Sequence, residues 1–195
     1  MTSHSNRIDN RKDLLLLLLF APGQSNKENE TISGRTRLMK LLYLFERELM
    51  DLMPSLRKVT SQAYSFNPYH YGPFSKDVFD DIAFLENVRM VEEEDEGNSS
   101  MAEIAETRLY FDDLMIDQTG SEEDQEFYLE PVFKLTEDRG VEFARSLFDQ
   151  LSQNEKKLLS EFKARFNSLP LSTILRYVYA NYPESAVKSR IRDSI

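Results

Sequence analysis

The chain has 195 residues, of which 41% are hydrophobic and 11% aromatic, so it can bury the core of one compact domain. It contains no cysteine and only two histidines, which excludes disulfide scaffolds, thiol nucleophiles and Cys/His zinc sites. The formal net charge is −10, but residues 86–130 alone hold 16 acidic and 2 basic residues, so the rest of the chain is close to neutral.

Two helices open the predicted fold. An apolar run over residues 14–21 ends at Pro22 and Gly23, which predicts a first helix over residues 11–21. The run is too short to cross a bilayer and is not followed by a signal-peptide cleavage motif, so we expect a buried helix in a cytoplasmic protein. Leucines and a phenylalanine spaced as on one helical face predict a second helix over residues 33–52.

The middle of the chain combines an aromatic loop, a third helix and a hairpin. The density of Tyr, Phe, Gly and Pro over residues 59–74 favours an irregular, partly buried loop. Ser75 is predicted to cap a third helix that buries Val78, Ile82 and Leu85. Strands are predicted over residues 88–94 and 127–135, around an acidic insertion at about 92–126. Within this insertion, residues 109–116 are apolar enough to form an extra strand or a short helix.

Three more helices follow. Thr136 is predicted to cap the fourth, Ser152 and Glu155 form a capping box for the fifth, and the sixth covers residues 171–180. The order of elements predicts a mainly α, α+β fold: a winged-helix-like helical domain over 11–151 with a small β-hairpin wing. Residues 152–195 are predicted to form a C-terminal helical extension on the same core.

Four stretches carry a family resemblance when they are taken together. They are residues 37–44 (RLMKLLYL), 68–75 (PYHYGPFS), 134–140 (KLTEDRG) and 175–184 (LRYVYANYPE). In this order they resemble the Panacea domain, the SocA-like antitoxin and YwgA-like group of bacterial and phage-associated proteins, over roughly residues 11–190. The acidic insertion is longer than the family pattern. The resemblance implies a non-enzymatic module that binds a protein partner, often a toxin, and sometimes acts beside a defence system.

Catalytic chemistry is not expected. His70 is the only histidine outside the polar N-terminus, and the sequence contains no Gly-x-Ser-x-Gly elbow and no phosphate-binding loop. Asp77, Asp80 and Asp81 are close enough along the third helix to hold a divalent metal, but a solvated acidic face is the favoured interpretation. We therefore expect no enzyme activity, no cofactor and no metal.

Two groups of residues are the candidate contacts with a protein partner. They are the aromatic box, formed by Tyr69, His70, Tyr71 and Phe74, and the acidic run, formed by Glu92, Glu93, Glu94, Asp95 and Glu96. Tyr and His combine flat apolar area with a polar tip, as is common in binding hot spots, although about half of the box is equally expected to pack as core. The acidic run is either a solvated loop or an anionic surface that attracts a basic partner, as a DNA mimic does.

Nucleic-acid binding is the main alternative. The candidate phosphate contacts are Arg35, Arg37, Lys40, Arg57, Lys58 and Arg139. Against this alternative, the three aspartates would lie on the recognition helix and repel phosphates. The sequence therefore favours a protein-binding regulatory module of a toxin–antitoxin or phage-defence system, with a homodimer as an open option. A winged-helix DNA-binding transcriptional regulator is the second hypothesis and an unrecognised enzyme the third.

Overall fold

The computed structural model of the chain describes residues 7–59, 63–95 and 131–191. The α-helices in these ranges are α1 (Arg11–Phe20), α2 (Arg35–Glu48), α3 (Lys76–Asn87), α4 (Arg139–Phe148), α5 (Gln153–Asn167) and α6 (Leu171–Asn181). The strands are β1 (Ile32–Ser33), β2 (Asn67–Tyr69), β3 (Gly72–Phe74), β4 (Val91–Asp95) and β5 (Pro131–Leu135). Short 3-10 helices cover Met50–Leu52, Pro54–Leu56 and Pro183–Ala186. The predicted mainly α, α+β class is confirmed, whereas the winged-helix arrangement stays a prediction.

Helix α2 runs through the middle of the core. The apolar stripe predicted for this helix is buried as expected, but burial extends to every residue from 36 to 45 and so to the other faces of the helix as well. The reason is that α1, α5 and α6 pack around it, together with β1 and β3. Helix α1 is likewise buried along residues 13–20, as its leucine run predicts. The two helices therefore form the centre on which the remaining elements are assembled.

An antiparallel three-stranded sheet covers one side of this centre in the order β1-β5-β4. The predicted pairing of the fourth and fifth strands is confirmed, with a register from Val91 opposite Leu135 to Asp95 opposite Pro131. Strand β1 was not predicted, because a two-residue strand has no alternation for a sequence pattern to show. The predicted strand residues 127–130 and the apolar stretch 109–116 lie outside the described residues.

Of the caps predicted at Thr136 and Ser152, the second is confirmed and the first is wrong, because the N-cap residue of α4 is Asp138. The capping box is confirmed: Glu155 N donates to Ser152 Oγ at 3.3 Å, and Ser152 N donates to Glu155 Oε2 at 2.7 Å. Glu155 also accepts a hydrogen bond from Ser55 N at 2.8 Å, which ties α5 to a 3-10 helix. Helix α4 begins later than expected, yet Thr136 Oγ1 still accepts from Gly140 N at 2.9 Å in its first turn.

Two lysines are buried and act as links between elements. Lys163 Nζ donates to the carbonyl oxygens of Leu19 and Glu30, both at 2.7 Å, and so joins α5 to the end of α1. Lys40 Nζ donates to Pro73 O at 2.8 Å and joins α2 to β3. Burial penalises the charged ammonium and lowers the pKa of each lysine to about 7. Both side chains therefore make the fold sensitive to pH.

Glu46, in the last part of α2, is a third partly buried ionisable group. Its Oε1 accepts a hydrogen bond from Tyr64 N at 2.8 Å, and burial raises the pKa of its carboxyl group to about 7. The folded chain then keeps a proton on Glu46 up to about pH 7, whereas the unfolded chain loses it near the ordinary pKa of 4.5. The contribution of this group to stability must fall as pH rises between these two values.

Replacing this residue, Glu46→Gln, is expected to raise the free energy of unfolding at pH 8 by about 1–2 kcal/mol. The amide keeps an oxygen for the Tyr64 N–H and removes the buried charge. Denaturant unfolding at pH 8 and at about pH 5.5 measures the effect, and the gain should shrink at the lower pH. The control Glu161→Gln changes an exposed carboxylate on α5 and should give no gain. Equal gains from both variants would contradict the prediction.

Candidate protein-interaction surface

The aromatic box lies on a tight antiparallel hairpin formed by β2 and β3. Tyr69 pairs with Gly72, so that His70 and Tyr71 make the turn. Gly72 has a φ of 88°, a backbone conformation that glycine adopts readily. A Cβ at this position would also lie 2.8 Å from Cε1 of Tyr179. The irregular loop predicted for this stretch is therefore wrong over residues 67–74.

The hairpin is hard to predict from the sequence because each of its strands contains a proline, and proline normally argues against a strand. In the structure Pro68 pairs with Pro73 across the two strands. Paired positions in an antiparallel ladder alternate between hydrogen-bonded and non-hydrogen-bonded, and the two prolines share one position at which neither needs an N–H group. The two prolines thus fit the hairpin together, and this match between strands is not visible from either proline alone.

The box divides into one core residue and three surface residues. Tyr71 is 8% exposed and packs with Leu171 and Leu175, so its assignment as a partner contact is corrected to a structural role. Tyr69, His70 and Phe74 are half-buried. The rings of Tyr69 and His70 are stacked, with centroids 4.4 Å apart and an interplanar angle of 17°. The hairpin therefore presents a flat pair of rings beside Phe74.

These rings continue into a longer surface. The ring centroids of Tyr69 and Phe74 are 5.2 Å apart, and those of Phe74 and Phe79 are 5.8 Å apart. All of these side chains are half-buried. We call His70, Tyr69, Phe74 and Phe79 the aromatic track. It runs from the hairpin turn onto α3 and ends under Arg35, whose guanidinium carbon lies 5.9 Å from the Phe79 centroid.

The acidic run is not a solvated loop where it is described. Residues 92–95 form most of β4. Glu92 and Glu94 lie 3.3 and 2.8 Å from Lys134 Nζ on the paired strand. Glu93 lies 2.5 Å from Nη2 of Arg35, at the end of the aromatic track. Asp95 ends the strand, and Glu96 lies outside the described residues. The structure thus joins the box and the run, which the sequence presents separately.

A second carboxylate stands beside this ion pair. Burial raises the pKa of Glu86, and the negative charge of Glu93 raises it further, while the positive charge of Arg35 acts against both. Glu86 therefore holds a proton more readily than an ordinary glutamate, which reduces the negative charge beside the ion pair of Arg35 with Glu93.

Sequence patterns did not single out Phe79, Glu86 or the position of Arg35 next to them. Phe79 stands among aspartates on the side of α3 next to its buried stripe, and a large aromatic residue at such a place is a signal for a surface contact. Glu86 gave no signal, because its contact with Glu93 depends on how α3 packs against β4.

Two of the predicted phosphate contacts are wrong, because their side chains are buried. Arg37 is 8% exposed, and its guanidinium donates to the carbonyl oxygens of Ser33, Asn167 and Leu169. Lys40 is 3% exposed and is held by Pro73 O. Both side chains lie in the interior of the protein, because every residue of α2 from 36 to 45 is buried.

The remaining predicted phosphate contacts differ in their surroundings. Arg35 is engaged by Glu93. Arg57 and Lys58 are exposed after the 3-10 helix Pro54–Leu56. Arg139 is exposed as well, and its Nη1 donates to Val88 O at 3.1 Å. These last three cations are therefore accessible to an anion.

The aspartates of α3 are more engaged than the sequence indicates. Asp81 is 3% exposed and accepts from Arg11 Nε at 2.7 Å, with Lys12 Nζ at 3.2 Å. Asp77 lies 2.9 Å from Arg11 Nη1. The predicted solvated acidic face is thus wrong for Asp81, whose carboxylate joins α3 to the start of α1 through ion pairs. Among the described residues, no group of three or more His, Cys, Asp and Glu side chains is arranged to hold a metal ion.

Comparisons of the chain with protein-family models, with curated proteins and with solved structures gave no significant match. Within the described ranges, none of the helices combines the length and the apolar character that crossing a membrane requires.

Proposed function

We propose that this chain is a non-catalytic, protein-binding regulatory module. In line with the Panacea resemblance, the proposal is an antitoxin-like protein or a component of a toxin–antitoxin or phage-defence system. The observation that carries it is the aromatic track, a continuous row of half-buried rings that meets the acidic strand β4. The proposal retains the cytoplasmic location predicted from the sequence.

The physical properties of the track support protein binding. Half-buried aromatic side chains with charged neighbours are typical of interface hot spots, where few residues supply most of the binding energy. The hairpin that carries the track is held on both sides, by Lys40 Nζ at Pro73 O and by Arg190 N at His70 O, each 2.8 Å long. A surface that is already ordered loses little conformational entropy when it binds.

Charge supports a basic partner. The acidic excess of residues 86–130 begins in α3 and β4, beside the track. A field of one sign accelerates association with a partner of opposite charge and disfavours partners of like charge. With a net charge of −10, the chain is expected to repel nucleic acid and a second copy of itself more than a basic protein.

The alternative function, a winged-helix DNA-binding regulator, is favoured by one observation. Arg57, Lys58 and Arg139 are exposed cations. Against this alternative, Arg37 and Lys40 lie inside the protein, where they cannot reach a phosphate. Of the six predicted phosphate contacts, the one nearest the track, Arg35, is occupied by a carboxylate.

The test is affinity capture of the tagged full chain from its native cells at physiological salt, after nuclease treatment, quantified by mass spectrometry. We expect a nuclease-resistant protein partner, and we expect Phe79→Ala to reduce its capture about tenfold, as for a hot-spot residue. The matched control is Phe84→Ala on the same helix, since Phe84 is 50% exposed and is not part of the track. The control should capture the partner as well as the unchanged chain does.

Three results would count against the proposal. Recovery of DNA, with proteins lost after nuclease, would support the transcriptional regulator. Equal losses for the two phenylalanine variants would remove the track as the contact surface. Capture of no partner by the unchanged chain would overturn the protein-binding function itself. Circular dichroism of each variant establishes that it is folded before the comparison is made.

A further inference from the structure

Strand β4 lies at an edge of its sheet, because the strand order is β1-β5-β4. On β5, the residue paired with Val91 is Leu135. Leu135 N donates to Asn29 Oδ1 at 2.8 Å, and Leu135 O accepts from Asn29 Nδ2 at 3.0 Å. One position along the ladder, Thr136 N donates to Met90 O at 3.1 Å. Val91 therefore occupies a non-hydrogen-bonded pair, in which its own N–H and C=O groups point away from β5.

The direction of the other backbone groups of β4 follows from this position. Hydrogen-bonded and non-hydrogen-bonded pairs alternate along an antiparallel ladder, so Glu92 and Glu94 bond to β5, whereas Glu93 points outward like Val91. Among the described residues, neither Val91 nor Glu93 has a backbone hydrogen bond on the outward side. The edge of β4 thus offers the N–H and C=O groups of both residues in the geometry of a sheet.

The side chains of β4 divide between the two faces of the sheet. Val91 is 3% exposed and faces the core, and Glu93 shares this face. Glu92 and Glu94 lie on the outer face, at 3.3 and 2.8 Å from the Nζ atom of Lys134. One ammonium group therefore serves two carboxylates, and the side chain of Glu94 is 57% exposed. The outer face beside the open edge thus carries an excess of negative charge.

Backbone and charge together indicate what kind of strand fits this edge. Like charges opposite each other destabilise a pair of strands, so a second copy, which would place its own residues 92–95 against these, is disfavoured. A basic strand gains main-chain hydrogen bonds and opposite charges across the pair at the same time. Antiparallel pairing would continue the arrangement of the whole sheet.

We propose that β4 binds an extended, basic segment of the protein partner as an additional antiparallel strand. This inference rests on the proposed protein-binding function and states how the partner is held. The residues of the segment opposite Val91 and Glu93 exchange backbone hydrogen bonds with them. The residues opposite Glu92 and Glu94 direct lysine or arginine side chains to the acidic outer face.

The probe is a capped octapeptide of alternating lysine and threonine, titrated into the full chain at about physiological salt and followed by calorimetry. When its lysines face Glu92 and Glu94, the threonine amides are the ones that meet the edge. N-methylation of the threonine amides should therefore weaken binding at least about tenfold. N-methylation of the lysine amides, which point away from β4, should weaken it less than about threefold. A capped peptide of alternating glutamate and threonine should not bind.

Two variants at one position separate the backbone from the charge. Proline is accepted on an edge strand where its missing N–H group would face outward, so Glu93→Pro is expected to fold and to weaken peptide binding at least about tenfold. The matched control Glu93→Gln removes the same charge but keeps the N–H group, and should weaken binding less than about threefold. Circular dichroism of both variants establishes that they are folded. If Glu93→Pro does not fold, the two methylated peptides carry the test.

The charge contribution has its own pair of variants. Glu92→Gln/Glu94→Gln should weaken binding of the lysine peptide about five- to tenfold, because both carboxylates lie beside the added strand. Glu142→Gln/Glu161→Gln makes the same change in net charge at exposed positions on α4 and α5 and should weaken it less than about twofold. Equal weakening by the two double variants would show that the peptide senses only the general acidic field, and would overturn the inference.

Amide hydrogen exchange, followed by NMR, reports on the edge directly. In the free chain, the amides of Val91 and Glu93 should exchange faster than those of Glu92 and Glu94, and saturating peptide should slow the first two about tenfold or more. Protection of Val91 and Glu93 without peptide would overturn the inference, because the edge would already be covered. Self-association in sedimentation velocity that Glu93→Pro abolishes would overturn it in favour of a second copy.

The peptide and the native partner together distinguish this inference from the proposed function. If the native partner is captured in a Phe79-dependent manner while no peptide pairs with β4, the protein-binding function stands and the added strand falls. If no partner is captured while the peptides bind with the expected dependence on methylation, the added strand stands and the proposed function falls. Loss of binding on methylation of the lysine amides alone would overturn the antiparallel arrangement.

Discussion

Replacing Gly140 by alanine is expected to lower the free energy of unfolding by about 3 kcal/mol. Gly140 lies in the first turn of α4, and a Cβ on it would be 2.0 Å from Met90 O and 2.9 Å from Thr136 Oγ1. The nearer atom is backbone, in the turn that leads into β4, so it cannot move without displacing the strand. Helix propensity alone predicts the opposite sign, a gain of up to about 1 kcal/mol. The steric term is larger and decides the result.

Thermal and denaturant unfolding of the Gly140→Ala variant measure this effect, with a fall in melting temperature of about 6–12 °C for a chain of this size. The control on the same helix is Ser146→Ala, an exposed position whose change should stay within about 0.5 kcal/mol. A variant as stable as the unchanged chain would mean that the turn at Met90 does not press against α4.

Replacing Lys163 by methionine should lower the free energy of unfolding by about 2–4 kcal/mol at about pH 10, where the proton uptake of this lysine in the unfolded chain no longer offsets the lost hydrogen bonds. The side chain is 0% exposed, and its removal leaves the carbonyl oxygens of Leu19 and Glu30 without the donor that now bonds both. Methionine fills a similar volume, so the loss reflects the hydrogen bonds more than a cavity. Lys157→Met, at a side chain 71% exposed on the same helix, is the control and should change stability little.

The pH dependence of this variant gives a second measurement. Burial lowers the pKa of Lys163 from 10.5 to about 7, so between these values the unfolded chain binds more protons than the folded chain. The stability contributed by this linkage rises with pH across that window. Lys40 has the same shift and remains in the variant, so the variant should keep about half of the rise. A variant with an unchanged pH profile would contradict the assignment of this titration to Lys163.

Sequence patterns correctly predicted those features that are determined by residues close together in the chain. The Ser152 capping box and the leucine run of α1 each depend on residues close together in the chain, and the structure has them where they were expected. What escaped prediction depends on distant packing. Arg37 and Lys40 look like surface cations because their partners are carbonyl oxygens of other elements, which no spacing rule reveals.

The same division holds for the candidate interaction surface. The aromatic box could be found from its composition, but the inward position of Tyr71 depends on α6, and the exposure of the other rings depends on how the hairpin sits on the core. Phe79 joins the box only because α3 starts directly after β3. Lys163 had one usable signal, since it stands four residues after Leu159 on the buried face of α5.

The register of β4 and β5 allows the length and charge of the connection between them to vary independently of the packing of the helices. Asp95 and Pro131, the residues at which the acidic stretch leaves and re-enters the sheet, are paired directly opposite each other. Neighbouring ends can be joined by a connection of almost any length, and loop closure costs only about 0.6 kcal/mol for each doubling of that length. The number of acidic residues between the two strands can therefore change during evolution without altering how the helices pack. The proposed attraction for a basic partner can therefore be adjusted without a change in the fold.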